Sequence, residues 1–488
     1  MTFPILSTIV FLPALGAAVI ALWPRPAAGA VRWTAAAFTG AALALTALLL
    51  ANFDLDPELR TPQFVERVRW IPNFNVHYFL GVDGLSLPMV LLTTLLGFLS
   101  VFVSWRIELR VKEYFVWLLL LETGVLGVFT ALDFLLFFLF WEVELIPMFL
   151  LISIWGTGRR EYSAMKFLIY TIAGSAFMLV GILALYFSAN TFDLLDLAKA
   201  DLHQTVLPAN LIFAFLFIAY AIKLPIVPFH TWLPDAHTDA PTAVSVILAG
   251  VLLKMGGYAI LRINVGLFPD IVRDVAPWLA ALAIVNVLYG ALITLAQRDL
   301  KRLIAYSSVS HMGYVLLGVA ALTPVSLNGA ALQMFTHGTI TGLLFMMVGL
   351  TYDKAHTRQL DELGGLARRM PVVAVVFLIA GLASLGLPGM SGFVAEILVF
   401  LGTFPVMPLA TILGAFGIVL TAGYILWMLQ RAFFGPLNPR HEHVEDAHGL
   451  ELLPIFVTAA VIIAVGLYPS PITTIFAGGI RTLVLALG

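Results

Sequence analysis

Leu211-Ile-Phe-Ala-Phe-Leu-Phe-Ile-Ala-Tyr-Ala-Ile-Lys-Leu-Pro-Ile-Val-Pro-Phe-His230 is an apolar run that carries a lysine and two prolines near its end. A bilayer span takes roughly 20 mostly apolar residues, so the run is long enough to cross a membrane. It keeps a charge where insertion costs roughly 2.5–3.5 kcal/mol. Proline has no N–H to bond four residues back. Pro225 and Pro228 therefore free the carbonyls of Ala221 and Leu224 at membrane depth, where each must find a side chain, a neighbouring helix or water. A later run is interrupted in the same way by Leu387-Pro-Gly-Met-Ser-Gly392, where Pro388 frees the carbonyl of Ser384 and Gly389 adds a second break. Two such breaks in corresponding positions point to a hydrated cavity, where a single one would be a packing kink.

Composition agrees with a lipid solvent. Of 488 residues 61% are hydrophobic and 11% charged, against about 25% charged in soluble domains. Apolar runs can be placed at about 2–23, 29–51, 84–105, 114–131, 134–155, 164–188, 207–230, 240–262, 273–296, 302–322, 329–352, 371–400, 407–434 and 450–470. The expected fold is an all-α polytopic membrane protein of about fourteen transmembrane helices, the seventh and twelfth broken. The first run, Pro4 to Trp23, has no basic residue before it and no small-residue cleavage pattern, so it reads as a span and not a secretory signal.

Loops after odd-numbered spans hold 17 basic residues, among them Arg106, Arg159, Lys301 and Arg369, against 7 after even-numbered spans, including Arg60, Arg262 and Arg481. The positive-inside bias puts the richer side in the cytoplasm and both termini in the periplasm. Ala- and Arg-rich usage fits a bacterial inner membrane. Cysteine is absent, which excludes disulfides and thiolate-bound iron–sulfur clusters, so any redox chemistry falls to partners. A net charge of −2 without a basic stripe excludes nucleic acid. Phosphate loops, nucleophile elbows and zinc-protease motifs are missing from the sequence.

Two lysines, Lys223 and Lys254, remain inside spans. So do Glu144 in Trp141-Glu-Val-Glu-Leu-Ile-Pro147, Glu396 two turns after Pro388, His311, His337 and, as a weaker candidate, Glu122. Glu142 points to a different side of its helix from Glu144, and it is set aside with Asp133. Proton movement needs groups whose charged and neutral forms lie close in free energy, and burial against a movable opposite charge supplies that balance. A Glu144–Lys223 pair can be toggled by a second cation such as Lys254, and Glu144, Lys223, Lys254, His337 or His311, and Glu396 would form a lateral relay. The competing reading of the pair is a static bridge between helices; of each histidine, a hydrogen-bonded interior residue; of Glu122, a cap for a neighbouring break. The tract His441-Glu-His-Val-Glu-Asp-Ala-His448 reads as a solvated loop without zinc-site ligand spacing, so no metal is expected.

An internal repeat supports transport. Thr171, Gly174, Phe177, Met178, Val180 and Gly181 recur as Thr339, Gly342, Phe345, Met346, Val348 and Gly349, always 168 positions apart. These lie in the sixth and eleventh spans, an odd separation, so the second copy is inverted relative to the first.

The stretch Lys223 to His237, continuing through Asp239-Ala-Pro-Thr242 to Lys254-Met-Gly-Gly-Tyr258, closely resembles the antiporter-like membrane subunits of respiratory complex I, NADH-quinone oxidoreductase, and most of all their subunit M branch. Gly81-Val-Asp-Gly-Leu-Ser86, Phe140 to Met148, Tyr306 to Gly313 and Leu387 to Phe393 carry the resemblance over nearly the whole chain. The resemblance implies fourteen spans with two inverted five-span repeats. It divides the chain into N-terminal helices (1–113), a first repeat of spans 4–8 (114–262), a second of spans 9–13 (273–434) and a last helix (450–488). It implies a proton-translocating subunit of an enzyme whose FMN, iron–sulfur clusters and quinone sit on partners, beside the antiporter-like subunits L and N and the smaller membrane subunits. Glu144 and Lys223 would be the ion pair of the first half-channel, Lys254 the central lysine, Glu396 the titratable group of the second, and His311 and His337 the histidines between. Glu396 follows its break whereas Lys223 precedes its own, so the two half-channels are not equivalent in depth. Two alternatives stay open: a subunit of a multi-subunit Na+/H+ antiporter, against which Asp235-Ala-His237 speaks, and a non-transporting membrane scaffold.

Overall fold

The computed structural model describes residues 3–55, 62–202 and 204–486; Arg60 and the start of the first expected span at residue 2 lie outside the described residues. Helices α1 (Ile5–Leu22) and α2 (Ala28–Ala51) pair, and α3 (Leu87–Val103) packs against α2 and α4 (Val111–Thr130). The chain continues through α5 (Phe134–Trp155), α6 (Arg160–Ala189), the half-helices α7a (Ala209–Lys223) and α7b (Trp232–Asp239), and α8 (Thr242–Val265). Then come α9 (Pro269–Leu295), α10 (Leu300–Ala321), α11 (Pro324–Ala355), α12a (Pro371–Ser384), α12b (Ser391–Thr403), α13 (Pro408–Phe433) and α14 (Leu452–Leu467).

Among the described residues eleven helices are long and apolar enough to cross a membrane. The third expected span falls on α3, the seventh on α7a and the twelfth on α12a and α12b, all shorter apolar helices, while α7b begins beyond the expected end of the seventh at residue 230. Helix starts follow the sequence locally. Asp133, Asp299 and Thr323 accept first-turn N–H groups of α5, α10 and α11, and Pro269, Pro324, Pro371 and Pro408 open helices where their missing N–H costs nothing. α8, α10 and α11 are buried almost all round and form the centre of the molecule, as helices without a polar face do. The matched repeat positions fall on α6 and α11, in unlike surroundings: Phe177 and Val180 are exposed, whereas Phe345 and Val348 are buried.

Both expected breaks are present. α7a stops at Lys223, and the Ala221 carbonyl, expected to be free, instead accepts from Ile226 N at 2.9 Å in a wider turn. Two carbonyls beside the break are taken by side chains, Ile222 O by the Trp232 indole at 2.8 Å and Pro225 O by Asn286 Nδ2 at 3.3 Å. In the second break Gly389 has φ +92°, a backbone that favours glycine.

Three features depart from the sequence reading. A hairpin of β1 (Gln63–Ile71) and antiparallel β2 (Val76–Val82) precedes α3, and α15 (Ser470–Ala486) follows the last span and packs on α11 and α3. The His441 to His448 tract, expected to be solvated, is pinned to the body. His441 is buried beside the Glu362 carbonyl, and the Asp446 carboxylate accepts from Val372 N (2.7 Å) and Val373 N (3.2 Å), satisfying donors that the first turn of α12a leaves open.

α8 crosses the end of α7a at Gly256, where an added Cβ would meet Tyr220 O and Leu224 N at 2.7 Å. Both neighbours are backbone, so Gly256→Ala forces the helices apart at a cost of about 1–3 kcal/mol. Native-gel quantification should show Gly256→Ala lowering the membrane content of the assembled protein severalfold, with Gly29→Ala, whose Cβ meets nothing within 4 Å, unchanged.

Candidate functional site

Pro147 cannot donate to the carbonyl of Val143, and α5 loosens into a turn at Glu144. The carboxylate there is fully buried, and Lys223 Nζ donates to its Oε1. Lys223 is the last residue of α7a, where the negative end of the helix dipole favours an ammonium. The rings of Trp141 and Phe167 lie 5.5 and 5.4 Å from Nζ and supply cation–π attraction. The second carboxylate oxygen of Glu144 has no protein partner. Glu142, set aside on sequence, is half-buried, and its Oε1 has no hydrogen-bond partner among the described residues.

Lys254 sits on α8 just after a π-helical turn, Leu248–Leu252. The wide turn leaves the carbonyl of Ala249 to accept from Lys254 Nζ, and the same nitrogen lies 2.7 Å from His337 Nδ1 on α11. Such turns are frequent at functional sites because they release a backbone acceptor. The His337 and His311 rings are 5.5 Å apart between centroids. His311 Nδ1 is 3.6 Å from Glu396 Oε1, while its Nε2 faces Ser384 Oγ at 3.2 Å and Tyr424 OH at 3.4 Å. Ser384 ends α12a and Glu396 lies on α12b, so the break brings both to one histidine. Gly386, in the break with φ +75°, leaves room for the other Glu396 oxygen, which a Cβ there would strike.

The structure thus gathers Lys254, His337, His311 and Glu396 into one buried chain, in the order Lys–His–His–Glu. It also pairs Glu144 with Lys223. Among the described residues no hydrogen bond or ion pair joins the two groups: their helices meet at the close crossing of Gly256 with the backbone of Tyr220 and Leu224. Glu122 stands apart, its carboxyl against Gly97 of α3. Among the described residues no cluster of three or more His, Asp or Glu side chains could hold a metal. The groups present can accept, hold and release protons. Trp232 and Asn286, which tie down the first break, were not singled out on sequence, nor was Tyr424. Ser384 was noted only for its backbone carbonyl, four residues before Pro388, and not for the hydroxyl that faces His311.

Comparison with known proteins comes to the same place. Residues 131–421 match the model of the NADH:quinone oxidoreductase/Mrp antiporter transmembrane family. NAD(P)H-quinone oxidoreductase chain 4 of Gloeobacter violaceus is 44% identical, the alignment covering 97% of this chain and 91% of that one. Its counterpart in Synechococcus elongatus is 46% identical over 97% and 90%. Among solved structures, a chain of respiratory complex I from Thermus thermophilus with bound NADH superposes with a TM-score of 0.90 at 30% identity, covering 100% of both chains. A chain of the Mrp complex from Dietzia sp. shares the fold, with a TM-score of 0.87 at 23% identity over 100% of both. With more than half its length matched by the family model and relatives above 40% identity along nearly all of it, the chain belongs to the NADH:quinone oxidoreductase/Mrp antiporter transmembrane family.

Proposed function

We propose that this chain is a proton-translocating membrane-arm subunit of an NADH:quinone oxidoreductase, carrying H+ through its buried acids and bases while other subunits oxidise NADH and reduce quinone. The observation that carries the reading is the order Lys254–His337–His311–Glu396 through the buried centre, with Lys254 bonded to His337, the two imidazole rings 5.5 Å apart and His311 3.6 Å from Glu396, and with the Glu144–Lys223 pair beside it. The names of the relatives at 44–46% identity support the quinone-linked reading over a cation antiporter, since the likeness to the Mrp chain at 23% identity carries the fold alone.

In this reading Glu144 binds Lys223 in the resting state. A cation arriving at Lys254 weakens the pair, Lys223 gives up its proton, and the charge passes through His337 and His311 to Glu396. Pro225, Pro228, Pro388 and Gly389 supply the interrupted backbone that lets water approach; Glu122 remains a lesser station. The chain holds no redox group of its own; FMN, iron–sulfur clusters and quinone belong to partner subunits. Those partners are antiporter-like subunits L and N and smaller membrane subunits, embedded together in a bacterial inner membrane. Fourteen spans with both termini periplasmic, and two inverted repeats over residues 114–262 and 273–434 between an N-terminal part (1–113) and a last helix (450–488), complete the proposal.

Lys223→Arg separates relay from static bridge, because a guanidinium keeps the ion pair but does not release its proton. The assembled complex in vesicles should keep NADH oxidation and lose protons pumped per electron; a normal ratio in Lys223→Arg and in Lys223→Ala would end the relay reading. Glu396→Gln should lower the same ratio with assembly retained, while Leu401→Gln, on the exposed side of α12b, should not. Copurification of NADH oxidation with the chain decides between a quinone-linked complex and a cation antiporter.

A further inference from the structure

Lys254, Tyr258 and Arg262 follow one another at four-residue intervals on α8 and form a polar stripe from the buried centre toward the end of the helix opposite Thr242. Arg262 Nε lies 3.3 Å from the Tyr258 hydroxyl. Its NH2 lies 2.6 Å from each oxygen of Asp83, in the turn before α3. The Tyr258 hydroxyl donates to Phe129 O at 3.4 Å. Leu85 N and Ser86 N donate to the same Asp83 carboxylate at 3.0 Å each. Burial alone would push the Asp83 carboxyl up, but the Arg262 guanidinium and these N–H groups outweigh it and hold it below the usual carboxylate range. Behind the pair lies a cavity of only about 60 Å³, walled by Gly84, Gln63 and, on α15, Thr474, Gly478 and Thr482. α15 packs tightly along one side of it: a Cβ on Gly84 would run into the backbone of Gly479, and one on Gly479 into that of Gly84. At the Thr242 end of α8 a cavity of about 210 Å³ reaches Lys301, Asp353 and Ser104.

We propose that the Arg262–Asp83 pair, covered by α15, is a fixed-charge seal that closes the outer end of α8 and forces protons at Lys254 to leave sideways. The inference rests on the proton-carrying reading above. Every group in the Lys254–His337–His311–Glu396 chain can change protonation. Along the Tyr258–Arg262–Asp83 stripe none does so readily: the hydroxyl is committed to a backbone carbonyl, the guanidinium is permanently charged, and the carboxylate is held ionised by it. A fixed cation in a narrow polar path repels protons, as in pores that exclude them electrostatically. Asp83 offsets the cost of inserting that cation without offering a landing site.

The test is the decay of an imposed pH gradient across vesicles carrying the intact complex, with NADH absent. Arg262→Gln removes the repelling charge and should speed the decay severalfold. Asp83→Asn breaks the same pair but leaves the cation, and Arg262→Lys keeps the charge while losing the fork; both should stay as tight as the unaltered complex. A simple clamp between α3 and α8 would make Arg262→Gln and Asp83→Asn alike. Equal tightness, equal leak or a shared failure to assemble therefore overturns the proposal, as does an Arg262→Gln complex that stays tight but stops pumping, which would make the stripe an exit route. Because the decay is read without turnover, its outcome is independent of whether Lys223 carries protons.

Discussion

A charged side chain in an apolar interior must find a compensating partner, and this requirement organises the molecule. Lys223 finds Glu144 and two aromatic faces at the point where prolines end α7a. Lys254 finds a carbonyl released by a π-helical turn and the ring nitrogen of His337. In each case the backbone irregularity and the charge occur together, because regular helix has no spare acceptor to offer. Lys254, His311 and His337 lie on α8, α10 and α11, the helices buried almost all round, so their partners are supplied by protein.

The two buried groups differ in kind. Glu144 and Lys223 form a buried ion pair. Lys254, His337, His311 and Glu396 form a graded series in which a base passes to two imidazoles and then to an acid. The close crossing at Gly256 separates the groups, and among the described residues no hydrogen bond or ion pair bridges it.

Much of this was legible in the sequence. Hydropathy placed most of the helices within a few residues, though the seventh run overshot α7a, which ends at Lys223, and the prolines placed both breaks, because a missing N–H acts locally whatever surrounds it. The buried lysines, acids and histidines stood out because lipid makes them costly. What was not legible depends on tertiary neighbours. The hairpin from Gln63 to Val82 and helix α15 lie outside the spans, where hydropathy gives no signal. The His441 to His448 tract looked solvated by composition, although Asp446 is committed to the first turn of α12a. The repeat was visible as matched residues, but the exposure of α6 and the burial of α11 depend on what packs over each.

The central claim is that the buried acids and bases change protonation as the complex turns over. Infrared difference spectroscopy on the assembled complex, comparing resting and NADH-driven states, reads this most directly. The account predicts a protonated-carboxyl band that shifts on turnover and disappears from the difference spectrum in the Glu396→Gln protein. An identical difference spectrum with and without Glu396 would contradict it.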